Sequence, residues 1–215
     1  MIHELSKKNS ILNHFLAEIR DINVQKDSMR FRKNMERISE IMAYEVSKSM
    51  NFKEEDITTP LGTKRMSKVN ENVVVASILR AGLTMHNGVL NYFDKAENAF
   101  ISAYREESDS EKIKVHVEYL ASPNLDGKTL LMVDPMLATG TSLLLTLDAI
   151  KKNGNPAQIH VLAAIASKQG IENIQAGLPE NAQIWIGDID EKLNDKAYIV
   201  PGLGDAGDLA FGEKL

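Results

Sequence analysis

The apolar residues of this chain fall into two textures that change near residue 72. Between residues 10 and 50 they recur at helical spacing. Phe31, Met35, Ile38, Met42 and Val46 lie three or four positions apart, which puts them on one helix face. Lys33, Glu36, Arg37 and Glu40 fall largely elsewhere. The spacing therefore predicts a helical segment over 10–50. Its apolar face suits the chain's own core or, as an arm, a partner subunit; periodicity does not separate the two. Residues 51–72 are polar and hold Pro60 and Gly62, so they predict a loop or a hairpin that leaves the body.

Beyond 72 the apolar residues run together. Short runs rich in β-branched residues occupy 73–78, 99–104, 129–133, 159–166 and 182–186. Amphipathic helices fit the gaps at 84–95, 142–153 and 168–177. Buried-type strands alternating with helices imply βαβ units and a parallel sheet covered on both faces. In such α/β sheets, ligands bind beyond the carboxyl ends of the strands. The chemistry is then expected at 79–82, 105–107 and 134–142.

Composition narrows the class. The chain has 215 residues, 43% hydrophobic and 26% charged, which suits one folded domain and excludes disorder as the dominant state. The expected layout is one domain over 1–215: a helical arm at 10–50, the loop or hairpin at 51–72, and an α/β core at 73–215. A formal charge of −5 gives no sign of a nucleic-acid or anionic-membrane surface. The lack of cysteine excludes disulfides and thiolate metal sites. The first residues lack a signal-peptide pattern, and no apolar run approaches the roughly 18 residues of a membrane span. A cytoplasmic protein is the expectation.

The run at 129–133 leads into Asp134, Pro135, Met136, Leu137, Ala138, Thr139, Gly140, Thr141 and Ser142, and then into a helix-like stretch. The turn matches neither the Walker pattern nor the dinucleotide fingerprint. Its chemistry still favours phosphate. Small residues let the backbone approach a ligand. Free amides and the helix dipole at a helix start favour an anion. Thr139, Thr141 and Ser142 add hydroxyl donors, and Asp134 offers a carboxylate to a ribose diol. A plain cluster of helix-capping residues is the other reading.

This loop resembles the phosphoribosyl pyrophosphate (PRPP) signature of phosphoribosyltransferases. Val133-Asp134-Pro135-Met136-Leu137-Ala138-Thr139-Gly140 is similar to the version in the uracil phosphoribosyltransferase family. Ile78-Leu79-Arg80-Ala81-Gly82-Leu83 resembles that family's pyrophosphate loop, and Tyr198 to Asp208 its uracil-recognition segment. Tyr104-Arg105 is a weaker fourth match. The motifs follow family order along nearly the whole chain.

The resemblance implies a type I phosphoribosyltransferase-like parallel sheet flanked by helices, with Mg²⁺ entering mainly with PRPP. It implies that Asp134 to Ser142 bind the ribose 5-phosphate and ribose. Arg80 and Arg105 would bind the pyrophosphate side. Ile199, Gly204, Asp205 and Ala206 would bind uracil, largely through backbone, with Asp205 also near PRPP. Arg80, Arg105 and Asp205 are the implied catalytic set. A homodimer or larger homo-oligomer and a nucleotide effector such as GTP are also implied.

Each motif has a plainer reading. Arg80 suits a surface ion pair as well as a phosphate fork. Arg105, among Glu106, Glu107, Asp109 and Glu111, suits a solvated loop or a closing flap. His86, His116 and His160 form no metal spacing and are expected to be structural; Trp185 is expected in the core. Several positions depart from the family pattern. Thr141 stands for a second loop glycine, Thr84 and Asn87 for Gly and Asp, and Leu209 for a basic residue. Tyr119-Leu120-Ala121 replaces a segment that often includes Lys. Transfer to uracil is the leading expectation. The alternatives are a weakly catalytic PRPP or nucleotide sensor on the same scaffold and transfer to another base.

Overall fold

A computed structural model describes residues 1–106 and 114–214, with the backbone alone at 103–106 and 114–117. The chain opens with a short strand β1 (Ile2–Glu4), then α1 (Ile11–Arg20) and α2 (Ser28–Ser47). A two-stranded hairpin follows, β2 (Phe52–Thr59) and β3 (Gly62–Val69). The body continues as β4 (Val73–Leu79), α3 (Leu83–Leu90), β5 (Glu97–Glu106), β6 (Lys114–Ala121), β7 (Thr129–Val133) and β8 (Met136–Leu137). Then come α4 (Thr141–Ile150), β9 (Gln158–Ser167), α5 (Lys168–Gly177) and β10 (Gln183–Asp190). The two-residue strands β11 (Lys192–Leu193) and β12 (Ile199–Val200) precede α6 (Ala206–Phe211).

The main sheet runs β1-β10-β9-β7-β4-β5-β6, with β8 paired to β9. It is parallel from β1 to β5, but β6 pairs antiparallel to β5, with a bulge at Ser102/Ala103. The expected all-parallel sheet is thus a mixed one. Only seven residues, 107–113, separate β5 from β6, fewer than the dozen or so that a crossover to a parallel strand needs. Two strands carry no apolar run and escape the pattern, namely β1 and β6.

Central strands are apolar at every position because both faces are covered. Val73, Val75, Leu131 and Val133 pack with α1, α2, α3 and α6. Val74, Ala76, Leu130 and Met132, one residue out of step, pack with α4 and α5. The face of α2 predicted from spacing is buried here. Phe31 is 1% exposed, and Met35, Ile38, Met42 and Val46 are 0%. Of the two readings open for that face, packing on the chain's own body is the one seen. The helical stretch is also broken. Asp21 accepts from the Asn23 amide at 2.8 Å in a local turn, and Asp27 caps α2 by accepting from the Met29 and Arg30 amides. The hairpin stands off the body, with nearly every residue exposed.

Chain direction across the sheet reverses between β4 and β7. From β4 the chain passes to β5 on one side, then returns to β7 on the other. The crevice beyond the carboxyl ends of β4 and β7 is therefore the switch point at which such sheets bind ligands.

Candidate active site

Arg80 follows the tip of β4, and Asp134 follows the tip of β7. The two ends are close. A Cβ on Gly82 would lie 2.8 Å from the Val133 carbonyl oxygen. The Leu79–Arg80 peptide is cis. Arg80 Nη2 donates to Asp208 Oδ1 at 2.9 Å, and Nη1 to the Gly212 carbonyl at 3.3 Å. The plainer reading of Arg80 as an ion-pair residue is thus seen, but its partner lies in the 198–208 segment. The pair is about 40% exposed on both sides. Such pairs contribute only about 0–1 kcal/mol, so an incoming phosphate can replace Asp208 at little cost.

The phosphate loop departs from its helix-cap alternative. The residue before α4 is Gly140, and no side chain caps the helix. Gly140 has φ +76°, and a Cβ there would lie 2.5 Å from Ile174 Cγ2 in α5. Left-handed backbone and close helix approach both require glycine. The Thr139 hydroxyl donates to Thr141 Oγ1 at 3.2 Å and accepts weakly from the Thr141 amide. Asn173 holds the Thr139 carbonyl at 3.0 Å. Asp134, Met136, Leu137, Ala138, Thr139, Gly140 and Ser142 line a small cleft of about 50 Å³. Pro135 sits behind it, its carbonyl accepting from the Ile165 amide at 3.0 Å. The first amides of α4 have no intrahelical partner, which gives the cleft anion-binding character.

Burial pushes the Asp134 carboxyl up to about 7; the bond from the Met136 amide opposes that rise, and the charge of Asp205 adds to it. Asp205 lies at the start of the C-terminal helix. It caps α6, accepting from the Asp208 amide at 2.9 Å, and is exposed. Gly204 is also exposed, with φ +94° and open space where a Cβ would stand. Ile199 and Ala206, two of the expected base-binding residues, are buried. A second cleft of about 380 Å³ is lined by Leu203, Gly204, Asp205 and Asp208 on one side. Gln25, Lys26 and Ser28, from the α1–α2 connection, line the other. Sequence reasoning missed these three, because no motif surrounds them.

Arg105 lies in β5, its backbone opposite Val115. Its side chain, with Glu107, Asp109 and Glu111, lies outside the described residues, as does the side chain of His116. His86 and His160 are buried and structural as expected. Ser77 Oγ and His86 Nδ1 are 2.6 Å apart, and Trp185 Nε1 donates to His160 Nδ1 at 3.1 Å. Among the described residues no group of three or more His, Cys, Asp or Glu could hold a metal ion. The oxygen donors Asp134 and Asp205 nevertheless fit a hard cation that brings phosphate ligands of its own.

The departures from the family pattern are accommodated. Thr141 is the first residue of α4 and needs no positive φ. Thr84 Oγ1 donates to the Ala81 carbonyl at 2.8 Å. Leu209 packs against the core. Arg32 Nη1 reaches the Ala210 carbonyl at 2.6 Å and ties α6 to α2.

A mixed sheet flanked by helices, with a phosphate-type loop at its switch point, defines the type I phosphoribosyltransferase class. A hypoxanthine phosphoribosyltransferase of Staphylococcus aureus, 12% identical, shares this fold with a TM-score of 0.52 over 86% of this chain and 83% of its own. The chain belongs to the uracil phosphoribosyltransferase family, whose model matches residues 6–213. A uracil phosphoribosyltransferase of Porphyromonas gingivalis is 51% identical over 100% of this chain and 99% of its own. One from Methanothermobacter thermautotrophicus is 38% identical over 95% and 93%. A solved protein from Aquifex aeolicus is 34% identical, with a TM-score of 0.88 over 99% of this chain and 98% of its own.

Proposed function

We propose that this chain transfers the phosphoribosyl group of PRPP to uracil, giving UMP and pyrophosphate. The observation that carries the reading is the meeting of three motifs at one switch point. Arg80 pairs with Asp208 at 2.9 Å, and a Cβ on Gly82 would lie 2.8 Å from the Val133 carbonyl that precedes Asp134. Family membership supports the choice of base.

In this reading the loop from Asp134 to Ser142 holds the 5-phosphate, and Asp134 accepts hydrogen bonds from the ribose hydroxyls. Gly204, Asp205 and Ala206, with Ile199, present backbone and one carboxylate to the base. Uracil N1 bonds to ribose C1 as the bond from C1 to the pyrophosphate oxygen breaks. The electron pair leaves with the pyrophosphate, and the N1 proton is lost to solvent. Arg80 and Arg105 stabilise the departing anion. Asp134 and Asp205 would face a Mg²⁺ ion carried in with PRPP, which would supply further charge neutralisation.

One domain carries the whole activity, since residues of the α1–α2 connection border the same cleft as the C-terminal segment. Among the described residues no helix is long and apolar enough to cross a membrane, which supports a cytoplasmic enzyme. The exposed hairpin supports at least a dimer, because a lone two-stranded hairpin is marginal in water.

The test is pyrophosphate release from PRPP with Mg²⁺ and each of uracil, cytosine, hypoxanthine and orotate. Release with uracil alone is expected. Release with another base instead, or PRPP binding without release, overturns the reading. Adding GTP to the same assay tests the effector.

A further inference from the structure

We propose that Arg20 is a positioning residue for base recognition, clamping the turn that presents the pyrimidine-binding backbone; this rests on the function proposed above. Arg20 ends α1 and reaches across to β10 and to the turn after β12. Its Nη2 donates to Asp188 Oδ2 at 2.8 Å. Its Nη1 donates to Asp190 Oδ2 at 2.8 Å and to the Gly202 carbonyl at 3.0 Å. Ser6 Oγ holds the other oxygen of Asp188 at 2.8 Å. The guanidinium is largely buried, at 18% exposure, and Asp190 is 7% exposed.

The geometry is that of a fork, not of a point charge. Asp188 and Asp190 are two apart on a strand and so face the same way. One planar guanidinium bridges both and still has a proton for Gly202. Gly202 cannot move freely to meet it. Its φ is +59°, and a Cβ there would lie 2.1 Å from the Ile199 carbonyl oxygen. The turn and the clamp therefore fix one carbonyl direction between them. Two residues later come Gly204 and Asp205, which line the larger cleft.

The facing wall is tied to the same residue. Gln25 Nε2 donates to the Ile19 and Arg20 carbonyls at 3.0 and 3.2 Å. Gln25 and Lys26 line the cleft opposite Gly204 and Asp205. Arg20 thus sets the spacing between both walls while touching neither PRPP-binding motif. A clamp of this kind acts first on base binding and reaches the phosphate side only through Asp205.

The test compares Arg20→Lys and Arg20→Met with the unaltered protein, varying uracil and PRPP separately. Arg20→Met is expected to raise KM for uracil by about tenfold, the loss of roughly one positioning hydrogen bond, and Arg20→Lys by less. KM for PRPP should stay within about twofold, and Lys should recover part of the loss. Equal rises in both KM values, or an unchanged KM for uracil, overturn the proposal. If Arg20→Met does not fold, Arg20→Lys decides. Amide hydrogen exchange at 203–206 supplies a readout independent of turnover. Exchange about tenfold faster in Arg20→Lys, with core amides unchanged, supports the clamp, and unchanged exchange at 203–206 overturns it. If the unaltered protein releases no pyrophosphate with uracil, the assigned reaction fails, and the exchange arm still judges the clamp.

Discussion

Asp134 stands where β7 hands the chain to the phosphate loop, and burial pushes its carboxyl up to about 7. The unfolded chain ionises near 3.8, so the folded state holds the proton more tightly. Stability tied to this group is full below 3.8 and is lost as pH rises through about 7. Asp134→Asn removes that charge and keeps an acceptor for the Met136 amide. It should gain about 1–3 kcal/mol of stability at pH 8, read by denaturant unfolding, while PRPP affinity falls. Unchanged stability at pH 8 counts against the buried-charge account. Arg80 is the complementary case. Its exposed pair with Asp208 adds little to folding, whereas in the proposed reaction its fork faces the leaving group. Arg80→Ala should lower turnover by about a hundredfold to a thousandfold with a melting temperature close to the parent's. Turnover like the parent's would refute the role. Arg80 and Asp134 were legible in the sequence because each sits inside a contiguous motif. The pairing of Arg80 with Asp208 was not, since only the fold brings those two together.

The same contrast holds between elements. Strand β4 was legible as an unbroken apolar run, and helix α2 because burial repeats along it with a fixed period. Strand β1 was not, being three partly buried residues at the sheet's edge. Strand β6 was not, since an antiparallel edge strand need not carry a continuous apolar run. The single helical segment read over 10–50 hid a break, because Asp21 and Asp27 act through capping and turn bonds that carry no periodicity. The contact of β9 with β10 adds a pH dependence. Burial lowers His160 to about 4, while its Nδ1 accepts from Trp185. A lowered value means that the stability is present above 6.5 and is lost as pH falls through about 4. His160→Gln should flatten the stability curve between those two values, measured by thermal unfolding across pH. An equally steep decline would show that other groups drive it.

At the scale of the molecule, the hairpin and the body answer to different forces. The body is held by apolar clusters on both faces of the sheet, whereas β2 and β3 are exposed along nearly their whole length, with Leu61 at 100% at the tip. Shortening the hairpin to a brief turn between residues 52 and 69 should leave the body folded and convert the proposed dimer to monomers. Sedimentation and far-ultraviolet circular dichroism together check this, and an assembly of unchanged mass would move the contact elsewhere. The sheet's far edge carries a different implication. Ile2 pairs with Ile184, so the first strand to be made has its partner among the last. During synthesis on the ribosome that segment emerges early and waits, its backbone groups unpaired, until nearly the whole chain has been translated. Completion of this edge is thus a late step in biogenesis.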